Sequence, residues 1–131
     1  MFELIKKLLG FTNAYRRYSV SQQTEDSIRS DWAKIDELLR LKSPSQLRQA
    51  LIAADKSLDH ALKDIFEGEA MGERLKNAKD RFEKNMYNKI WEAHKIRNNL
   101  VHEAGYEPPY YVVTGAVETL RIALRLLNVR V

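Results

Sequence analysis

The stretch Trp91 to Glu103, WEAHKIRNNLVHE, gathers two histidines, an arginine, two adjacent asparagines and two carboxylates into about three and a half helical turns. Ile90, Ala93, Leu100 and Ala104 keep the three-and-four spacing of a buried helix face, and Arg97 occupies the middle of that stripe. A guanidinium keeps its charge when buried, so there it needs a partner, a ligand or a route to water. Arg97, Asn98 and His102 together suit acid–base chemistry on a phosphodiester. Histidine is the side chain suited to moving a proton near neutral pH. Arginine places fixed charge, in bidentate geometry, where the pentacovalent phosphorus gathers negative charge. The amide of Asn98 is placed to orient the nucleophile. Asn98 and His102, four apart, share a helix face. Arg97 and His102, five apart, diverge by about 140° on an unbroken helix. For both to reach one phosphate, the arginine must reach sideways, the helix must end near His102, or a second subunit must complete the site.

Metal chemistry fits these residues less well. His94 and His102 stand about 12 Å apart along a continuous helix, too far to share one ion within one chain. Val101-His102-Glu103 begins like a zinc-protease helix, but the second histidine that motif needs would fall at Tyr106. No metal site and no cofactor is expected. The chain has no cysteine, which excludes disulfides, thiolate metal sites and thiol catalysis.

The elements that must carry Arg97 and His102 are helical. Thr24 is a candidate N-cap for a first long helix over 25–41, with Ile28, Trp32, Ile35, Leu38 and Leu39 inward. Ser43 and Gln46 have capping-box spacing around Pro44, and a second helix follows with Leu47, Leu51, Ala54, Leu58, Ala61, Leu62 and Ile65 on one face. Gly68 ends it, and the two helices pair as an antiparallel hairpin. Gly68 and Gly72 read as a turn, because neither a Gly-Lys-Ser/Thr nor a preceding buried strand supports a phosphate loop. A third helix carries Leu75, Ala78 and Phe82, with a solvated face of Lys76, Lys79, Arg81 and Lys84. The helical signal weakens over Asn85 to Asn88 and resumes over 90–103. Gly105 and Pro108-Pro109 stop it, and a last helix over 111–128 turns Val113, Ala116, Val117, Leu120, Ala123, Leu124 and Leu127 inward. No stretch alternates as a strand. The expected fold is all-α, an up-and-down bundle of four to five helices over 23–131.

Residues 1–22 are expected to lie outside that bundle, as a short amphipathic helix over 2–11 and a linker, TNAYRRYSVSQQ. Three turns are short for a membrane anchor, so packing on this domain or on a partner is the preferred role for the helix. Arg16 and Arg17 between Tyr15 and Tyr18 suit nucleic-acid contact, with a plain solvated linker as the simpler reading. With 131 residues, 44% hydrophobic and 31% charged, the chain fits one globular domain. A net charge of +4 permits a polyanionic partner without demanding one. No apolar run reaches the ~18 residues of a membrane span, and the start lacks the core and cleavage site of a signal peptide, so a cytoplasmic protein is expected.

Arg97-Asn98-Asn99-Leu100-Val101-His102 resembles the R-x-x-x-x-H motif of the HEPN superfamily, including the polar residue after the arginine. LRQALIAADKSLDHALKDIF, MGERLK and WEAHKIRNNLVHE are also similar to a bacterial group of uncharacterised HEPN-like proteins, over roughly residues 24 to 128. The resemblance implies a helical bundle acting as a metal-independent endoribonuclease. His102 would transfer a proton as the RNA 2′-hydroxyl attacks, leaving a 2′,3′-cyclic phosphate. Arg97 would hold the scissile phosphate and Asn98 would orient one or the other. It further implies a homodimer whose two motifs meet at a cleft, with an antitoxin or regulatory protein as a further partner. His94 and Glu103 are supporting candidates outside the motif, and Lys95 and Asn99 are candidates for substrate contact. The competing expectation is a non-catalytic interaction module, membrane-peripheral or half of a toxin–antitoxin pair. In it Arg97 pairs with Asp31, Glu37 or Asp59, and Asn98 and His102 cap the helix end.

Overall fold

The computed structural model describes residues 16–131, so the amphipathic helix expected over 2–11 lies outside the described residues. Five α-helices follow: α1 (Gln22–Leu41), α2 (Pro44–Ile65), α3 (Met71–Asn77), α4 (Lys84–His102) and α5 (Tyr110–Leu126). A 3-10 turn at Lys79–Arg81 separates α3 from α4, and no β-strand occurs among the described residues. The chain is all-α. No helix among the described residues is long and apolar enough to cross a membrane.

α1 and α2 start where a serine side chain takes up an unpaired amide. Ser43 caps α2 as its spacing predicts, its hydroxyl accepting the Gln46 N–H at 3.2 Å. α1 begins one turn earlier than Thr24 suggests, because Ser21 is the cap and accepts the Thr24 N–H at 3.2 Å. Asp64 of α2 holds that cap in place, accepting the Ser21 N–H at 3.0 Å and its hydroxyl at 3.1 Å. α4 also starts early and takes in Asn85 to Asn88. Met86 and Tyr87 pack against the core there, and that burial outweighs the poor helix propensity of the asparagines. The expected third helix is split. α3 ends at Asn77, and Phe82 enters the core from extended backbone at φ −128° and ψ 146°.

The first turn of the described chain is no free linker. The Arg16 N–H donates to the Ile65 carbonyl at 2.6 Å, and its guanidinium pairs with Glu67 at 3.1 Å. Arg81 donates to the Tyr18 carbonyl at 2.6 Å and lies 4.2 Å from the Tyr18 ring centre. Backbone bonding of this kind leaves no trace in residue pattern.

α2 is the hub, packing against each of the other four helices. Ion pairs across the bundle give the directions. Glu25 and Asp36 of α1 meet Arg130 and Arg121 in reverse order, so α1 and α5 run antiparallel. Asp55 of α2 meets His94 and Arg97, while Arg48 shares a groove with His102, so α2 and α4 are antiparallel too. The long helices therefore alternate up and down, and α2 and α5 run in the same direction through the middle. Ile28, Trp32 and Ile35 of α1 join Leu51, Leu58 and Leu62 of α2 and Val117, Leu120 and Leu124 of α5 in one core. The buried Trp32 indole N–H is satisfied by the Ser57 hydroxyl at 2.9 Å.

Two carboxylates tie α1 into this frame. Hydrogen bonds from Arg130 hold the Glu25 carboxyl below its ordinary value of 4.5. Burial opposes ionisation of Asp64, but hydrogen bonds from Thr24 and Ser21 outweigh it and hold its carboxyl below 3.8. A lowered folded-state pKa means stability that is fully present above the ordinary carboxylate range and is lost as pH falls through the folded value. Unfolding free energy should therefore be flat in this contribution from neutral pH to about 4.5 and then decline. Glu25→Gln should flatten that acid limb in urea titrations at stepped pH; an unchanged limb would exclude the Glu25–Arg130 contact as its source.

Candidate polar site on α4

The apolar stripe of α2 runs Leu47, Leu51, Leu58 and Leu62, and Asp55 sits in that stripe, four residues after Leu51 and three before Leu58. Its position turns the carboxylate into the bundle, where Asp55 is 2% exposed. An ionised group there must be paired. α4 supplies the partners from successive turns. His94 Nδ1 lies 3.0 and 3.1 Å from the two Asp55 oxygens, and Arg97 Nε lies 3.6 Å from Oδ2. The partner of Arg97 is thus Asp55, in place of Asp31, Glu37 or Asp59. Glu37 pairs with Arg40, and Asp59 accepts both Nε and Nη2 of Arg74 at 2.8 and 3.0 Å.

Arg97 Nη1 donates to the Asn98 side-chain oxygen Oδ1 at 3.0 Å. Its Nε is buried and finds no hydrogen-bond acceptor among the described residues, since 3.6 Å to Asp55 is a charge contact and no more. With Nδ1–H given to Asp55, His94 has Nε2 as an acceptor, and the Asn98 amide nitrogen faces it at 3.5 Å. Trp91 closes one side, its ring edge-on to His94 at 6.0 Å between centres. The Arg97 side chain keeps 29% of its surface exposed. The result is a guanidinium held from two directions by a buried carboxylate and an amide, with its outer edge in water.

His102 is not part of this cluster. α4 is unbroken from Lys84 to His102, so the two motif residues diverge by about 140° around the helix. The imidazole is exposed and makes no hydrogen bond or ion pair among the described residues. Lys95 is exposed and, two turns back, shares the face of His102. Asn99 is half-buried and its carbonyl accepts the Glu103 N–H at 2.9 Å, which ends the helix; Glu103 itself is exposed. The structure therefore brings Arg97, Asn98 and His94 together around Asp55 and leaves His102, Lys95 and Glu103 on the neighbouring surface. His102 lines a groove with Arg48 of α2 and Tyr106 of the α4–α5 loop.

Asp55 is the site residue that sequence reasoning missed. The signal was available, because a carboxylate at the centre of an apolar stripe breaks the same rule that singled out Arg97. Among the described residues, no three of His, Cys, Asp and Glu gather as ligands for a metal ion. Compared with known proteins, the chain matches no family model, no curated protein and no solved structure.

Proposed function

We propose that this chain is a metal-independent endoribonuclease whose site is completed between two copies, in keeping with the HEPN-like motif. The supporting observation is the preorganised, partly exposed Arg97 guanidinium on the same helix as a free His102 imidazole. His102 accepts the proton of the RNA 2′-hydroxyl, and that oxygen attacks phosphorus. Arg97 bears the charge that builds on the non-bridging oxygens, Asn98 fixes its orientation, and Asp55 with Asn98 spares it reorganisation. The bond to the 5′-oxygen breaks, that oxygen takes a proton from solvent, and a 2′,3′-cyclic phosphate remains. Because 140° separates the two residues on one helix, Arg97 of one copy acts with His102 of another.

One observation favours a second reading. Asp55 already neutralises Arg97, which suits a non-catalytic interaction module in which the arginine serves packing alone. Cleavage of a fluorescent mixed-sequence RNA in excess EDTA separates the two. Wild type should cut and leave cyclic-phosphate ends, while folded Arg97→Ala and His102→Ala each lose about 10²–10⁴ in rate. Mixing the two inactive variants should restore cutting, because a mixed dimer rebuilds one complete site. No cutting by wild type hands the case to the interaction module; equal cutting by all three proteins places the activity elsewhere.

A further inference from the structure

A second feature adjoins His102. Between the start of α2, the end of α4 and the loop joining α4 to α5 lies a groove of about 670 Å³, within the range of small-ligand sites. Tyr106 packs half-buried against the core and forms a fixed wall, while Tyr110 stands 72% exposed at the rim. Arg48 and Lys42 supply cations from the α1–α2 corner; both are exposed and neither forms an ion pair or side-chain hydrogen bond among the described residues. Lys42 adopts φ 59°, the left-handed helix-end conformation where glycine is usual, so a cation sits there against a conformational cost. Ser43 takes up the Gln46 amide at the α2 start, so anion binding in the groove falls to side chains. The carboxylates, Glu107 and Glu103, come from the opposite side, the loop after α4. Charge is thus segregated across the groove, with cations at one edge and tyrosines and carboxylates at the other. Arg48, Leu100 and Tyr106 also line the smaller groove at His102, so the two are continuous.

We propose that this groove is a nucleotide subsite for single-stranded RNA, holding one unpaired base against Tyr106 and Tyr110 and its phosphate on Arg48 and Lys42. Tyrosine faces bind bases by stacking without regard to sequence, and arginine grips a phosphate bidentately. A base paired in a duplex cannot enter a pocket of this shape, so the strand must be open. The carboxylates repel the backbone from the loop side, which directs the phosphate toward the α1–α2 corner and the base toward the tyrosines. The subsite rests on the ribonuclease reading for its ligand, since it sets a nucleotide beside the bond that His102 would act on.

A fluorescein-labelled 2′-O-methyl oligoribonucleotide of about eight residues tests it by anisotropy, because that probe cannot attack its own phosphate and binding is read apart from cleavage. Wild type should bind it saturably, and a blunt-ended duplex of the same length at least about tenfold more weakly. Arg48→Glu and Tyr110→Ala, both at exposed positions, should each weaken binding at least about tenfold with an unchanged circular dichroism spectrum. Lys42→Gly should weaken binding while holding or raising the melting temperature, a pair of signs that a purely structural lysine would not give. No binding by wild type, equal binding of the duplex, or binding indifferent to all three substitutions overturns the subsite. Binding without any cleavage of ordinary RNA keeps the subsite and removes the nuclease. Cleavage whose kcat/KM ignores Arg48→Glu and Tyr110→Ala does the reverse.

Discussion

Asp55→Ala is expected to lower the unfolding free energy by about 3 kcal/mol, because it strands two groups that the carboxylate now holds. His94 loses the acceptor for its Nδ1–H, and Arg97 faces the bundle with no counter-charge. The value belongs at the low end for a broken buried pair, since Arg97 is 29% exposed and can turn its head to water. The melting temperature should drop by roughly 10 °C in a chain of this size. The pairing itself is isolated by a cycle with Arg97→Met, in which the double variant should be more stable than the sum of the single losses predicts. Simple additivity in urea denaturation would show that the carboxylate and the guanidinium do not interact. The same comparison bears on mechanism: an Asp55→Asn protein that stays folded yet cuts RNA poorly would mark Asp55 as a positioning residue for Arg97.

Gly68→Ala should cost roughly 2–5 kcal/mol, for two reasons that add. Its φ of 146° is a conformation that L side chains rarely adopt, and a Cβ there would lie 2.7 Å from Arg74 Cγ and 2.9 Å from the Arg74 backbone nitrogen. Arg74 cannot move aside cheaply. Its side chain is 7% exposed, spans both Asp59 oxygens and donates to the Gly68 carbonyl at 2.7 Å. Gly105→Ala is the matched control, with φ 80° and nothing within 4 Å of a new Cβ, so only the backbone cost of about 1 kcal/mol applies. Equal losses at the two glycines in chemical denaturation would remove the Arg74 contact from the explanation.

The bundle was legible where burial obeys a single period. Leu47 to Ile65, Asp55 apart, and Val113 to Leu124 keep apolar residues at helical spacing, and Ser43 with Pro44 announces a helix start that the structure reproduces. The losses have separate physical causes. Phe82 continues the spacing of Leu75 and Ala78, so period alone extends the third helix, yet it is buried from extended backbone after a 3-10 turn. The docking of Arg16 on Ile65 is made by main-chain atoms, which have no residue signature. At the site, Arg97 stands out because a cation among Ile90, Ala93 and Leu100 needs a partner, a ligand or a route to water. Asp55 was passed over because its leucine neighbours completed the stripe without it. Pairing across some forty residues is tertiary information, and no local pattern in α4 names the helix that answers it.

That pairing also fixes how α4 can lie on α2. Greasy helix faces tolerate sliding, since one leucine fills roughly the space of the next. A shift of α4 by one turn, about 5.4 Å, would set Ile90 and Ala93, or Asn98 and Val101, opposite Asp55 in place of His94 and Arg97. Either alignment leaves a carboxylate in the bundle without a cation, at a cost of several kcal/mol. The buried charge thus acts as a locating pin. It makes one alignment of the two helices single-valued, and with it the height at which Arg97 stands along the exposed surface of α4.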